Sequence, residues 1–122
     1  MAPLPSDDAV RHALRQRGAA EHLVRGGAPG LIARWRRFVA EVEAGYPFGL
    51  EDYRNDLDIR TLIGLAGLDS AVEAEDAHFR EKLTDTGRAI WSSDVPGAFW
   101  VLGYPANASG DLLSGLRAEG LF

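Results

Sequence analysis

The chain has no cysteine, one methionine and a single lysine among thirteen basic residues. Without cysteine there are no disulfides, no thiol nucleophile and no thiolate-held zinc or iron–sulfur site. Long apolar runs are missing too: nothing approaches the roughly 18 residues that a membrane span requires. The start, Met1-Ala2-Pro3-Leu4-Pro5-Ser6-Asp7-Asp8, is polar and has no apolar signal core, so the expected location is the cytoplasm. The scarcity of lysine, beside abundant Ala, Gly and Arg, reads as the codon bias of a GC-rich genome. Arginine counts therefore carry little weight.

What is present fits a globular domain. With 122 residues, 46% hydrophobic and 25% charged, the chain is expected to form one domain, 1–122, with a core that needs no staples. Charge is unevenly spread. Residues 1–40 hold seven arginines against Asp7, Asp8 and Glu21, net +4, whereas 41–122 hold six basic and fifteen acidic residues, net −9. The overall −5 argues against general nucleic-acid binding, although a basic patch on the first helices remains.

The stretch from Pro29 to Gly67 organises the rest. Leu31, Trp35, Phe38 and Val42, flanked by Ile32 and Val39, form a 3.6-residue stripe that predicts a helix over 31–44. Pro29 suits its first turn, and Gly45-Tyr46-Pro47 suits its end. Beyond it the apolar positions change phase. Leu50, Tyr53, Leu57 and Thr61 share one side of a helical wheel, and Ile59, Leu62, Ile63 and Ala66 the other. Either one helix over about 49–66 is buried on both sides, or two short helices meet near Asn55 or Asp58. The lack of Gly and Pro across 50–63 favours one helix with a kink near Asp58. The pattern Arg34-Trp35, Phe38-Val39, Val42-Glu43, Gly45-Tyr46, Asp52-Tyr53, Asn55-Asp56-Leu57-Asp58 and Arg60 resembles a group of small uncharacterised bacterial proteins. The resemblance covers roughly a quarter of the chain. It implies bacterial origin and helical structure, and it brings no site.

Ser6 is expected to cap a first helix with Val10, Ala13 and Leu14 inside, closed by Gly18. A short helix over Ala19 to Arg25 should stop at Gly26-Gly27. Ser70-Ala71-Val72-Glu73 has the form of a capping box and predicts a helix over about 71–84, ended by Thr86-Gly87, with Leu68, Val72, Phe79 and Leu83 inside. Ala89-Ile90-Trp91 and Ala98 to Leu102 are aromatic and β-branched around turn-forming residues, which predicts a β-hairpin confined to 88–104. Asn107 or Ser109 should cap a last helix with Leu112, Leu113 and Leu116 inside. The expected fold class is α+β, mostly α, with about five helices. Its core should hold Leu31, Trp35, Phe38, Val42, Leu57, Leu62, Val72, Phe79, Leu83 and Leu116.

Candidate sites are few. Glu75-x-x-His78 is half of a carboxylate di-metal signature, present once, with His78 off the apolar stripe. Asp52 and Asp56, with Asp58 nearby, permit a magnesium or phosphate-handling cluster, against which stands an ordinary Asp56–Arg60 ion pair one turn apart. Asp76 falls inside the stripe of its helix, so its carboxylate must find a cation or several donors. Arg60 is the natural partner, with Arg80 or a Trp indole N–H as substitutes; a ligand beside Tyr53 or Tyr46 is the functional alternative. No nucleophile motif is present: Ser92, Ser93, Ser109 and Ser114 lack an elbow, and His12, His22 and His78 lack a carboxylate orienter. The run Phe99-Trp100-Val101-Leu102 puts apolar groups on both faces of the expected hairpin and invites a covering helix or a partner chain. These features favour a non-catalytic protein-interaction or regulatory module without cofactor, partnered by itself as a homodimer or by another protein. The alternative is a small metal- or phosphate-handling enzyme built on Asp52, Asp56 and Asp58 with Arg60.

Overall fold

The computed structural model describes residues 4–84 and 88–122. Ser6, in extended conformation, accepts the Ala9 amide at 3.1 Å and starts α1 (Asp7–Gln16), which buries Val10 and Leu14. The next segment, α2 (Glu21–Ala44), runs through the expected Gly26-Gly27 stop with a break instead of an end. Gly27 leaves the helical path at φ 58°, and the helix resumes at Ala28, whose amide donates to Asp7 Oδ1 at 2.9 Å. A side chain at Gly27 would run into that carboxylate, so glycine lets α1 cap the second part of α2. Pro29 then sits in the first turn, where its missing N–H costs nothing.

Leu31, Trp35, Phe38, Val39 and Val42 line the buried face of α2. Gly45 ends it, donating its amide to the Val42 carbonyl at 3.2 Å, and Asn107 donates its Nδ2–H to the same carbonyl at 2.9 Å, so Asn107 caps α2 and not the last helix. The following helix, α3 (Leu50–Leu65), is continuous and buried on both sides: Leu50, Tyr53, Leu57 and Thr61 on one, Ile59 and Ile63 on the other. Both sides are covered because α2, α5 and the 99–101 turn all pack against it.

The expected capping box is replaced by other geometry. Asp69–Val72 form a 3-10 turn with Ser70 inside it, and α4 (Glu73–Lys82) starts without a side-chain cap. It ends at Leu83, which turns extended; the expected stop at Thr86-Gly87 lies outside the described residues. The last helix, α5 (Gly110–Ala118), follows Ser109 and buries Leu112 and Leu116.

The β-hairpin is absent, and the described residues are all-helical with no sheet. Residues 88–90 and 101–103 do run antiparallel, with Ile90 donating to the Val101 carbonyl at 2.8 Å and Gly103 to that of Arg88 at 2.8 Å. A second isolated bridge joins Leu83 to Pro105, but toward residue 99 pairing goes no further, because Phe99–Val101 curl into a 3-10 turn that buries Trp100 and Val101 side by side. A strand would have put those neighbours on opposite faces. Tertiary contacts decide the matter: Trp100 stacks on the Arg60 guanidinium at 4.4 Å and donates its indole N–H to Thr61 Oγ1 at 3.2 Å.

The core is aromatic. Phe38 stands 5.1 Å from Trp35, 5.3 Å from Phe79, 5.5 Å from Tyr53 and 5.6 Å from Tyr46, stacked on Trp35 and edge to face with Phe79 and Tyr46. Of the expected core, Leu62 and Leu83 are only half-buried. The Tyr53 hydroxyl is enclosed without a partner, and burial pushes its pKa up.

Candidate functional site

Two clefts gather Asp52, Asp56, Arg60 and Asp76 of the polar residues singled out by sequence. The first lies where α3, α4 and the 95–100 segment meet. Arg60, one turn before the end of α3, is 4% exposed, and Asp76, in the first turn of α4, faces it. Arg60 Nε donates to Asp76 Oδ1 at 2.9 Å and Nη2 to Oδ2 at 2.8 Å, a two-pronged pair. Trp35 Nε1 adds a third bond to Oδ1 at 3.0 Å, so the expected partner and one of its substitutes both serve the same carboxylate. Arg60 Nη2 also reaches Asp69 Oδ1 at 2.7 Å. Burial works against the charge of Arg60, but the bonds to Asp76 and Asp69 hold its pKa above the usual arginine value. The Asp56–Arg60 ion pair expected within α3 does not form, because Arg60 turns to α4.

Around this pair opens a cleft of about 380 Å³. Its rim carries Glu73, Arg80 and Asp69, and its apolar wall Val95, Pro96, Phe99 and Trp100. Arg80 lies 4.1 Å over the Phe99 ring and takes no part in the Arg60–Asp76 contact. Of the run 99–102, Trp100 and Val101 belong to the chain's own core, Phe99 is half-buried, and Leu102 is 44% exposed.

The second cleft, about 210 Å³, forms between the end of α2, the 45–49 connection and the start of α3. Arg37, Glu41, Tyr46, Phe48, Asp52, Asn55 and Asp56 line it. Tyr46 donates its hydroxyl to Asp56 Oδ2 at 2.7 Å. Burial raises the Asp56 pKa, and the charges of Glu41 and Asp52 add to it, against the Tyr46 hydrogen bond and Arg37. The Tyr46 hydroxyl is pushed up by burial and then by its carboxylate acceptor. Phe48, 48% exposed, stands edge-on to Tyr46 at 5.7 Å and forms an aromatic corner at the mouth.

Asp58 is not part of this cleft. Two residues beyond Asp56 on the helix, it points elsewhere and accepts the Trp91 indole N–H at 2.6 Å. Among the described residues no group of three or more His, Asp or Glu side chains is placed to hold a metal ion. Glu75 instead accepts from Arg36 at 2.9 Å, and His78 faces Glu43 at 3.3 Å, which ties α4 to α2.

Sequence reading missed Arg54. Its Nε donates to the Ile90 carbonyl at 2.9 Å and its two terminal nitrogens to Glu119 at 2.8 and 2.9 Å, joining α3 to both later segments. Arg54 in turn holds the Glu119 carboxyl below its usual pKa. Partners 36 and 65 residues away leave no local spacing to detect.

No known protein family, curated protein or solved structure matches this chain.

Proposed function

We propose that the chain is a non-catalytic protein-interaction module that docks a basic partner on the face around Phe48. One contrast carries the reading. The side chains best suited to chemistry are engaged with one another, Arg60 with Asp76 and Asp69, Asp58 with Trp91, Asp56 with Tyr46, while Phe48 stands exposed beside Asp52, with Glu41 held only by the exposed Arg37 at 3.5 Å. Residues 41–58 hold six acids and one arginine, net −5, equal to the formal charge of the whole chain. That arginine, Arg54, is already paired with Glu119; of the six acids Asp58 and Glu43 turn to Trp91 and His78, and Glu41, Asp52 and Asp56 stand at the cleft against Arg37. An exposed aromatic ring rimmed by carboxylates suits a partner that presents lysine or arginine near an apolar side chain.

Affinity capture with the wild type, Phe48→Ala, Asp52→Lys and Leu102→Ala tests it. The expected result is a protein that the wild type and Leu102→Ala both retain and the other two lose. Loss on Leu102→Ala alone moves the contact to the 99–102 run and overturns this face. A competing enzymatic reading rests on the raised pKa of Asp56 beside Asp52 in a cleft. It requires a turnover that Asp56→Asn abolishes while the fold is kept.

A further inference from the structure

Arg60 carries two N–H groups, both on Nη1, that nothing in the described chain accepts, although the side chain is 4% exposed. The other three N–H groups of this guanidinium are bonded to Asp76 and Asp69. A buried donor left unmet is costly, and this one belongs to a residue lining a cleft of about 380 Å³, within the usual range of small-molecule sites. We propose that the cleft binds a small zwitterion of the amino-acid class. Its carboxylate accepts from Arg60 Nη1 and Arg80, its ammonium faces Glu73 and Asp69, and its side chain lies on Pro96 and Phe99.

The cleft's own charges select that class. It is lined by two guanidiniums, Arg60 and Arg80, and three carboxylates, Asp69, Glu73 and Asp76, of which Asp76 already accepts three bonds from Trp35 and Arg60. A simple anion would leave Glu73 and Asp69 repelling it. A simple cation would meet Arg80 and leave the Nη1 donors unmet. A molecule with both charged groups on one carbon answers both ends, and the apolar wall takes its body. Val95 neighbours the donor: a Cβ built on Gly64 would lie 3.1 Å from Val95 Cγ2 and 3.5 Å from Arg60 Nη1, which puts both beside the same helix position. With Nη1 itself buried, a carboxylate reaches it only when a neighbouring side chain gives way, and Val95→Ala is expected to tighten binding.

This site is separate from the face around Phe48, and its test does not depend on any protein partner. Calorimetry and nitrogen-15 NMR on the full chain, titrated with L-leucine, L-phenylalanine and L-glutamine and with the N-acetyl and carboxamide forms of each, supply the readout. At least one free amino acid should give saturable shifts at the Trp100 indole N–H and the Arg60 Nε–H. Blocking either its amino or its carboxyl group should weaken it by about tenfold or more, as should Glu73→Gln and Arg80→Ala, both changes of exposed residues. Phe48→Ala should leave the affinity unchanged. The proposal fails if none of the free amino acids shifts those resonances at millimolar concentration, as expected were a water alone to satisfy Nη1. It fails equally if blocked and free forms bind alike.

Discussion

Asp76 shows how one carboxylate on an apolar stripe dictates its neighbours. It accepts from Trp35 and twice from Arg60, and Arg60 in turn draws in Asp69 and the face of Trp100. Removing Asp76 leaves a cation that is 4% exposed with only the exposed Asp69 to answer it, so Asp76→Ala should destabilise by about 3–5 kcal/mol in denaturant melts. Arg60→Ala and the double mutant should then give losses that fall short of additivity by about 0.5–3 kcal/mol. Additive losses would mean the pair contributes nothing as a pair. Asp56 has the opposite character. Its folded-state pKa is raised, so the folded chain holds a proton that the unfolded chain has released as pH climbs. Its contribution is complete below the unfolded pKa and is lost as pH rises through the folded one. Asp56→Asn should therefore match or exceed the wild type in stability at neutral pH, and the difference should shrink on acidification. A carboxyl titration by carbon-13 NMR with a midpoint at or below the ordinary aspartate value would refute this.

At the scale of elements, α3 holds the fold together because it is packed from both sides, and small residues set how closely its neighbours approach. Gly115 on α5 faces Leu50, and a Cβ there would lie 2.8 Å from Leu50 Cβ. That atom is fixed to the backbone of α3 and has no rotamer in which to retreat. Gly115→Ala should therefore destabilise despite its better helix propensity, and Gly115→Val should do so more strongly. Gly30 on α2 is the control, since a Cβ at that position meets nothing within 4 Å. Gly30→Ala should stabilise by roughly 0.5–1 kcal/mol. Urea melts of the two alanine variants should shift in opposite directions; a shared sign would mean propensity, not the approach of α5 to α3, governs both.

For the molecule as a whole, far-UV circular dichroism should show helix without a sheet component, the 88–104 segment included. Trp35 and Trp100 are 0% and 3% exposed, against 37% for Trp91. A neutral quencher should therefore reach one tryptophan in three, and Trp91→Phe should leave emission almost unquenchable. Strong quenching in that variant would place Trp100 at the surface. Association through the 41–58 face should slow as salt is added, since exposed charges are screened beyond about 10 Å at 0.1 M.

Residue order alone was enough for the helices whose information is local. The 3.6-residue stripe from Leu31 to Val42 and the double phase of α3 express backbone hydrogen bonds and side-chain spacing within one segment. The demand of Asp76 for a buried partner was legible for the same reason, and it pointed to Arg60 because Arg60 lies on the border between the two apolar sides of the neighbouring helix, from which it can reach inward. The 88–104 segment was not legible: its aromatic and β-branched composition fits a strand, but strand preference depends on what packs around it. There the claims of Arg60 and Thr61 on Trp100 prevail, and the chain curls. The clefts were hidden likewise. Asp69 and Glu73 come to Arg60, and Glu41 and Phe48 to Asp56, only when separate segments pack, because a side chain's charge is written in the sequence whereas the groups that answer it across space are chosen by the packing of the core.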